Sequence, residues 1–590
     1  MADLENLADT YFGNSDSEGE FEGFEEADLV ANNERRCPEF EADNFENDRD
    51  YPSDLQMNWS REVREPLVPP FTGDSGFKVE VEQDATPLDY FNLFLNNTDM
   101  NNIAFETNRY YSQVRAQKVP SRFSRMNSWV DATGNEMAKF LGMTILMGLV
   151  DKHSISSYWS TDKYESTPIY GTEMTRDRFM SLLSFLHLAD NSTAPTRHDD
   201  GFDPLYKVKP IYDVVSARFR NTYTPDENIA IDEGMVPWRG RLKFKQYIPN
   251  KPDKFGMKVY IASESKSGYV CDFNVYTGAD FDPDPNAEVG EVQLGHSYGV
   301  VMGLLRRSNL LNKGYCLYVD NYYSSPTLFD RLSAENTIAV GTVRLNRREV
   351  PVALKHKTKR GDVIYRQRDN LLALKWTDKR EVSMLSTKHK HTMVVTTKTD
   401  HYSGDPVVKP LCILDYNRHM GGVDRSDQLG KYYSFSRKTN KWWLKLFFHI
   451  INLVVTNAYI LYLKNRGDGR PLTHYKFRLE LAKQLMASHE MVKVPRGRPS
   501  IHRDQEKRLT ERHFPCLIPA KEGAKVKNPT RKCVVCNESS GKRHTPGETR
   551  KRRETRYWCK DCEKPLCVVP CFERYHTLVN YQLNEIDIED

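Results

Sequence analysis

From Thr86 onward, apolar residues recur at three-to-four spacing in Pro87-Leu-Asp-Tyr-Phe-Asn-Leu-Phe-Leu and again in the segment that opens at Asp131-Ala-Thr-Gly-Asn-Glu-Met-Ala-Lys-Phe-Leu. This is the period of an amphipathic helix. Segments 176–188 and 211–223 repeat it, so 84–227 is expected to be helical. Near residue 229 the pattern changes to short apolar runs. Segments 256–262 and 269–276 read as neighbouring strands joined by a Ser-Lys-Ser-Gly turn. A helix over 300–310, a buried strand over 315–320, a helix over 324–333 and a strand over 338–343 follow. Strand and helix alternate, which predicts a mixed α/β core over 228–344 that is completed by 411–433. Between them, 345–410 is Lys/Arg-rich and strand-like and reads as an insertion domain. The largely apolar stretch 442–459 predicts a deeply packed helix within a second helical part, 434–490.

Composition adds what periodicity does not. At 590 residues the chain is too long for one core. Its net charge of +3 hides a polarity: residues 1–50 carry 17 Asp/Glu against 3 Lys/Arg, and residues 491–558 carry 19 Lys/Arg against 7 Asp/Glu. The acidic end cannot bury enough apolar surface to offset the entropy of ordering. Residues 1–83 are therefore expected to be a disordered tail and Pro-rich linker, 491–530 a basic linker, 531–580 a cysteine-rich domain and 581–590 a tail. The basic region suggests a nucleic-acid partner. The start Met1-Ala-Asp-Leu-Glu predicts no signal peptide. No membrane partner is expected, since 140–150 is short and 444–463 is interrupted by Lys445, His449, Asn452 and Asn457. Of 11 cysteines, six fall between Cys533 and Cys571, which points to metal binding inside the cell rather than disulfides.

Three stretches carry candidate chemistry. Asp232 ends an apolar run before Gly234, Pro237 and an Arg239-Gly-Arg241 corner. Asp320 ends Leu317-Tyr-Val, and Asp424 and Asp427 lie three apart, spacing that puts both on one side of a helix turn. Phosphodiester cleavage with two divalent cations needs carboxylates converging on metals about 3.5–4 Å apart, and Mg²⁺ prefers such hard oxygen ligands. If the strands ending in Asp232 and Asp320 are neighbours, both acids emerge at one sheet edge. Basic clusters adjoin each segment: Lys251, Lys254 and Lys258; Arg344, Arg347 and Arg348; Arg437, Lys438 and Lys441. They suit phosphate contacts or simply a solvated charged face. Trp442 and Trp443 could stack on bases, but their apolar helical context favours core packing. Arg496-Gly-Arg498-Pro resembles an AT-hook core, whose arginines enter a narrow minor groove; a basic linker also produces such a motif by chance.

Cys533-x2-Cys536, then 22 residues, then Cys559-x2-Cys562 is zinc-ligand spacing, with Cys567, Cys571 and His576 close behind. Four thiols alone would close one ribbon site. The additional ligands suggest two cross-braced structural zincs, Cys533/Cys536 joining Cys567/Cys571, and Cys559/Cys562 joining His576 and one more group. His544 is read as a loop histidine rather than that group.

Several stretches together, including Asn228-Ile-Ala-Ile-Asp-Glu, Gln246-Tyr-Ile-Pro-Asn-Lys-Pro, Val319-Asp-Asn-Tyr-Tyr, Val340-Gly-Thr-Val-Arg-Leu-Asn-Arg-Arg and Met420-Gly-Gly-Val-Asp-Arg-Ser-Asp-Gln, resemble the piggyBac family of DDE/D transposases over about 84–580. The resemblance implies an RNase H-like catalytic core with an insertion domain, a helical dimerisation and DNA-binding domain, and a cysteine-rich domain contacting transposon ends. The family's triad falls on Asp232, Asp320 and Asp424, with Asp427 as a fourth acid. The implied activity is Mg²⁺-dependent cleavage of double-stranded DNA at terminal inverted repeats, a hairpin intermediate and joining to TTAA targets, by a nuclear homodimer. A domesticated, catalytically silent DNA-binding relative would keep the same motifs.

Overall fold

The computed structural model describes residues 59–581 apart from 122–123, 197, 200, 250, 252, 400–403, 405, 436, 467–469, 488–511, 521–528, 540–552 and 579–580. The acidic tail, Arg496, Arg498 and His544 lie outside the described residues. Two compact units divide at residue 490.

In the first unit, the early helices start where short polar side chains satisfy free backbone N–H groups. Thr86 and Asp89 form a capping box on α1 (Pro87–Asn92), and Asn96 and Asp99 form another on α2 (Asn97–Gln117). Thr133 caps α3 (Gly134–Leu149), in which every residue from Met137 to Met147 is buried. A helix apolar all round belongs inside a core; its one cation there, Lys139, meets Glu173 at 2.9 Å. Next come α4 (Arg176–Phe185) and α5 (Lys209–Thr222).

The central sheet follows in β1 (Asn228–Pro237), β2 (Gln246–Tyr247), β3 (Phe255–Glu264) and β4 (Val270–Val275). After α6 (His296–Arg307) come β5 (Cys316–Val319), α7 (Pro326–Ala334) and β6 (Ile338–Thr342). Strands β1, β3 and β4 are antiparallel, while β5 and β6 run parallel to β1. Most of segment 345–410, expected as an insertion domain, is built onto this sheet. Its strands β7 (Val363–Arg368), β8 (Leu371–Thr377) and β9 (Glu381–Ser386) continue the same sheet, in the order β4-β3-β1-β5-β6-β9-β8-β7 with β2 also on β3. The free edge of β6 takes β9 as its partner, Met384 opposite Thr342 through Ser386 opposite Val340. Within this segment, β10 (Met393–Thr399) and β11 (Pro406–Pro410) pair with each other apart from that sheet.

Two short helices, α8 (Leu411–His419) and α9 (Gly422–Tyr432), lead to α10 (Trp442–Asn465) and α11 (His474–Ala487). The last two pack among the first helices: a Cβ on Gly142 of α3 would come within 2.9 Å of the Ala482 carbonyl of α11. Helix α10 is long and apolar enough to cross a membrane, but most of it is buried in the protein. Its polar interruptions serve the interior. Asn452 donates to the Gly430 carbonyl and accepts from Arg478. Asn457, fully buried, accepts from the Val270 N–H and donates to the Val270 carbonyl, both at 2.9 Å, and so fixes α10 to β4.

Asn457→Ala leaves both Val270 groups buried and unpaired, which costs about 2–3 kcal/mol. Denaturant unfolding is expected to show that loss; a change below about 0.5 kcal/mol would mean the pairing is redundant.

Candidate active site and cysteine-histidine centres

The ladder between parallel strands β1 and β5 ends at Ile231 opposite Val319. The next residue in each segment is an aspartate, so Asp232, still on β1, and Asp320, just past β5, follow where the ladder stops. Strand β1 does not turn at Asp232, as its sequence suggested. It continues to Pro237 because β3 goes on pairing with it, from Asp232 opposite Ile261 to Pro237 opposite Gly256. The turn signals at Gly234 and Pro237 give way to a partner on one side.

Carboxylate oxygens of Asp232, Glu233 and Asp320 lie within 4.8 Å of one another. Glu233 escaped the sequence reading, since an acid following a strand acid reads as solvated. Around them, the Glu233 N–H donates to Asp232 at 2.8 Å and the Tyr322 N–H to Asp320 at 2.9 Å. The Tyr323 hydroxyl donates to Glu233 at 3.4 Å. Burial, and then the Glu233 carboxylate, pushes the Asp232 carboxyl up to about 8. The same two causes raise Asp320. Three half-buried acids whose charges oppose one another form a hard-oxygen donor set that suits a divalent cation.

Helix α9 brings the other two acids. A Cβ on its Gly422 would lie 2.8 Å from the Ser263 hydroxyl and 3.0 Å from the Glu264 carbonyl, so the helix starts directly on the end of β3. Asp427 reaches the sheet: its Oδ1 would be 3.7 Å from a Cβ on Gly234, two residues past Asp232. Burial raises the Asp427 carboxyl. Asp424 is exposed in the first turn of α9 and stands outside the three-acid group. Tyr416 of α8 faces this edge too: burial, with the carboxylates of Asp320, Asp232 and Asp424 adding to it, pushes its phenol up to about 12.

The basic residues divide. Lys251 donates to the Glu233 carbonyl at 2.8 Å. Lys258 is buried with its ammonium over the Tyr322 ring at 4.3 Å and the Tyr260 ring at 4.7 Å. Arg344 donates to Asn321 at 3.1 Å, and Arg347 to the Tyr322 carbonyl, so both brace the loop behind Asp320. Lys254, Arg348 and Lys438 are exposed. Arg437 and Lys441 face inward, against the expectation of a phosphate-contacting surface. Arg437 is held by Asp151 at 2.6 Å, the Met147 and Lys152 carbonyls and Tyr158. Lys441 donates to the Ser184 carbonyl at 2.8 Å, and burial brings its ammonium down to about 7. Trp443 is buried, and Trp442 packs edge-on against Phe244.

In the second unit, strand Pro515–Leu517 pairs with Tyr557–Cys559, which pairs with Lys564–Pro565. The cysteines and histidines form two groups of four: Cys533, Cys536, Cys567 and Cys571; and His513, Cys559, Cys562 and His576. Cys536 and Cys571 sulfurs are 3.4 Å apart, far beyond the ~2 Å of a disulfide. With zinc–sulfur bonds of about 2.3 Å, the edge of a tetrahedron is about 3.8 Å, so these separations fit zinc ligands. The His576 Nδ1 donates to the Phe572 carbonyl at 2.7 Å, which leaves Nε2 as the ligand atom facing Cys562 at 3.6 Å. His513 supplies the position the sequence left open. Its Nδ1 lies 3.3 Å from Cys559, although it sits outside the cysteine run in the basic linker.

Residues 86–459, more than half of the chain, match the family described as Transposase IS4, and residues 520–577 match a DDE_Tnp_1-like zinc finger. PiggyBac transposable element-derived protein 3 of Homo sapiens is 28% identical over 463 residues, covering 75% of this chain and 70% of that protein. PiggyBac transposable element-derived protein 5, also of Homo sapiens, is 25% identical over 419 residues, covering 68% and 76%. The piggyBac transposase in a synaptic complex with hairpin DNA superposes with a TM-score of 0.60 and 26% identity, covering 70% of this chain and 83% of that one. The chain belongs to the piggyBac-type transposase family.

Two outcomes follow. Because Asp232 titrates higher folded than unfolded, metal-free protein loses stability as pH rises from about 4 to about 8. Asp232→Asn removes that loss, with a gain on the order of 1 kcal/mol near pH 8 that vanishes below pH 4; equal melting curves at pH 8 would contradict the crowding. His513→Ala is expected to lower bound zinc by one ion per chain, read by elemental analysis. Unchanged stoichiometry would remove His513 from the ligand set.

Proposed function

We propose that this protein is a DNA transposase that cleaves double-stranded transposon-end DNA with Mg²⁺ and joins the freed end to target DNA. The observation that carries this reading is the pairing of Asp232 and Asp320 at the end of adjacent parallel strands, with Glu233 beside them. Three antiparallel strands followed by two parallel ones support an RNase H-like core. The three acids would hold the metal ions, with Asp427 beside Gly234 and the exposed Asp424 in the first turn of α9 as the family's further candidate ligands. When bound, such ions lower the pKa of an attacking water or 3′-hydroxyl and offset charge on the leaving oxygen. The chain's own share is positioning. Tyr322 and Tyr323 orient Asp320 and Glu233 through their hydrogen bonds, Lys251 steadies the β1 backbone, and Arg348, Lys254 and Lys438 offer exposed cations to phosphates.

The finer family features belong to this reading as well: a hairpin intermediate, TTAA targets, a homodimer, nuclear residence and two structural zincs in a domain that contacts the ends. The homologue solved in a synaptic complex with hairpin DNA supports the first. A silent, domesticated DNA-binding role is the second reading, favoured by relatives named as transposable element-derived proteins.

Purified full-length protein is expected to nick and excise a donor flanked by its own genomic ends only with Mg²⁺ present. Asp320→Asn should reduce cleavage by about a thousandfold or more while end binding stays within about twofold. Undiminished cleavage by the variant would sink the site assignment; wild-type binding without cleavage would favour the silent reading.

A further inference from the structure

At the end of the sheet opposite the acids, a cavity of about 250 Å³ opens between segment 72–78, the C-terminal end of α5 and the turn between α6 and β5. Lys78, Lys313 and Arg220 line it. Arg220 is balanced by Asp272 at 2.8 Å, but among the described residues neither lysine makes an ion pair. Each ammonium donates to a backbone carbonyl, Lys78 to that of Arg220 at 2.7 Å and Lys313 to that of Asn309 at 2.8 Å, which leaves two further N–H groups on each. The one carboxylate in the lining, Asp74, is exposed and pairs with neither lysine. Burial, with Lys313 alongside, holds the Lys78 ammonium below its ordinary range.

A second observation points to a ligand. Ser308, only 8% exposed, lines the cavity, and its hydroxyl has no hydrogen-bond partner among the described residues. A buried hydroxyl without a partner is costly unless something completes it. Two unbalanced ammonium groups and an unused hydroxyl make a donor set for one small, strongly accepting anion. The walls are already firm: the Thr72 N–H donates to the Lys313 carbonyl at 2.9 Å, and residues 76–77 pair with 223–224.

We propose that this cavity is a phosphate-binding site, taking a phosphate group between Lys78, Lys313 and Ser308 and thereby clasping segment 72–78 to the α6–β5 turn. A phosphate occupies well under 250 Å³, and it supplies acceptor oxygens for three donors that line the same cavity. The phosphate has two possible sources, free phosphate or phosphomonoester and the backbone of a nucleic acid. The proposal stands independently of the nuclease reading, since its donors lie remote from the acids.

The test is thermal unfolding of the full chain in inorganic phosphate against chloride at matched ionic strength. Wild type should show a saturable rise in melting temperature of about 2 °C by 20 mM phosphate. Lys78→Met/Lys313→Met should keep only the non-saturating rise that phosphate gives any protein by exclusion from its surface. Ser308→Ala, a smaller change, should weaken binding by about threefold or more in calorimetric titration. A saturable shift retained in full by the double variant, or none in the wild type, would overturn the site. Should the double variant fail to fold, Lys313→Gln and Ser308→Ala decide singly, and full phosphate affinity in both would overturn it. A short DNA duplex that displaces phosphate from wild type identifies backbone phosphate as the source. Phosphate binding that such a duplex leaves intact identifies the free anion.

Discussion

The parallel pairing of β1 with β5 is the constraint on which the site depends. Nothing in either strand alone brings carboxylates together. Ile231 opposite Val319 fixes the register, and the residues that follow are aspartates on adjacent strands of one sheet. A slip by one residue would turn one acid to the other face. The register is held by burial, since Ile229, Ile231, Leu317 and Val319 are all fully buried. It is also held by close approach: a Cβ on Gly341 of β6 would lie 2.6 Å from the Val319 carbonyl, so only glycine lets β6 lie so tightly beside β5.

The rest of the first unit supports that sheet. Helix α10 covers it and clasps β4 through Asn457, while α9 is seated on the end of β3 with Asp427 beside Gly234. Asp232 and Glu233 are thus delivered by a strand, Asp320 by the residue just past one, and Asp427 by a helix. Crowding carboxylates in a half-buried pocket raises their protonation, which is the electrostatic condition that a bound cation would relieve.

Much of this was legible in the chain. Apolar runs that stop at Asp232 and Asp320 were readable because buried parallel strands are continuously hydrophobic, and the helix over 442–459 because it is apolar all round. Glu233 was hidden because period-two reasoning assigns neighbouring strand residues to opposite faces. Residues 345–410 read as an insertion from their charge and strand-like pattern, which could not show that their strands join the common sheet, where buried Lys375 is satisfied by Glu381 at 3.0 Å and the His356 carbonyl. Charge likewise could not separate Lys438, which is exposed, from Arg437 and Lys441, whose partners come from 147–184. His513 lies 20 residues before Cys533, and a ligand that far outside its cluster carries no local spacing signal.

The central claim is that Asp232, Glu233 and Asp320 form a divalent-cation site. Its most direct test is titration of the full chain with Mn²⁺, followed by electron paramagnetic resonance. Saturable binding is predicted for the wild type, lost in Asp232→Asn/Asp320→Asn while zinc content stays unchanged. Equal Mn²⁺ binding by that variant would contradict the account.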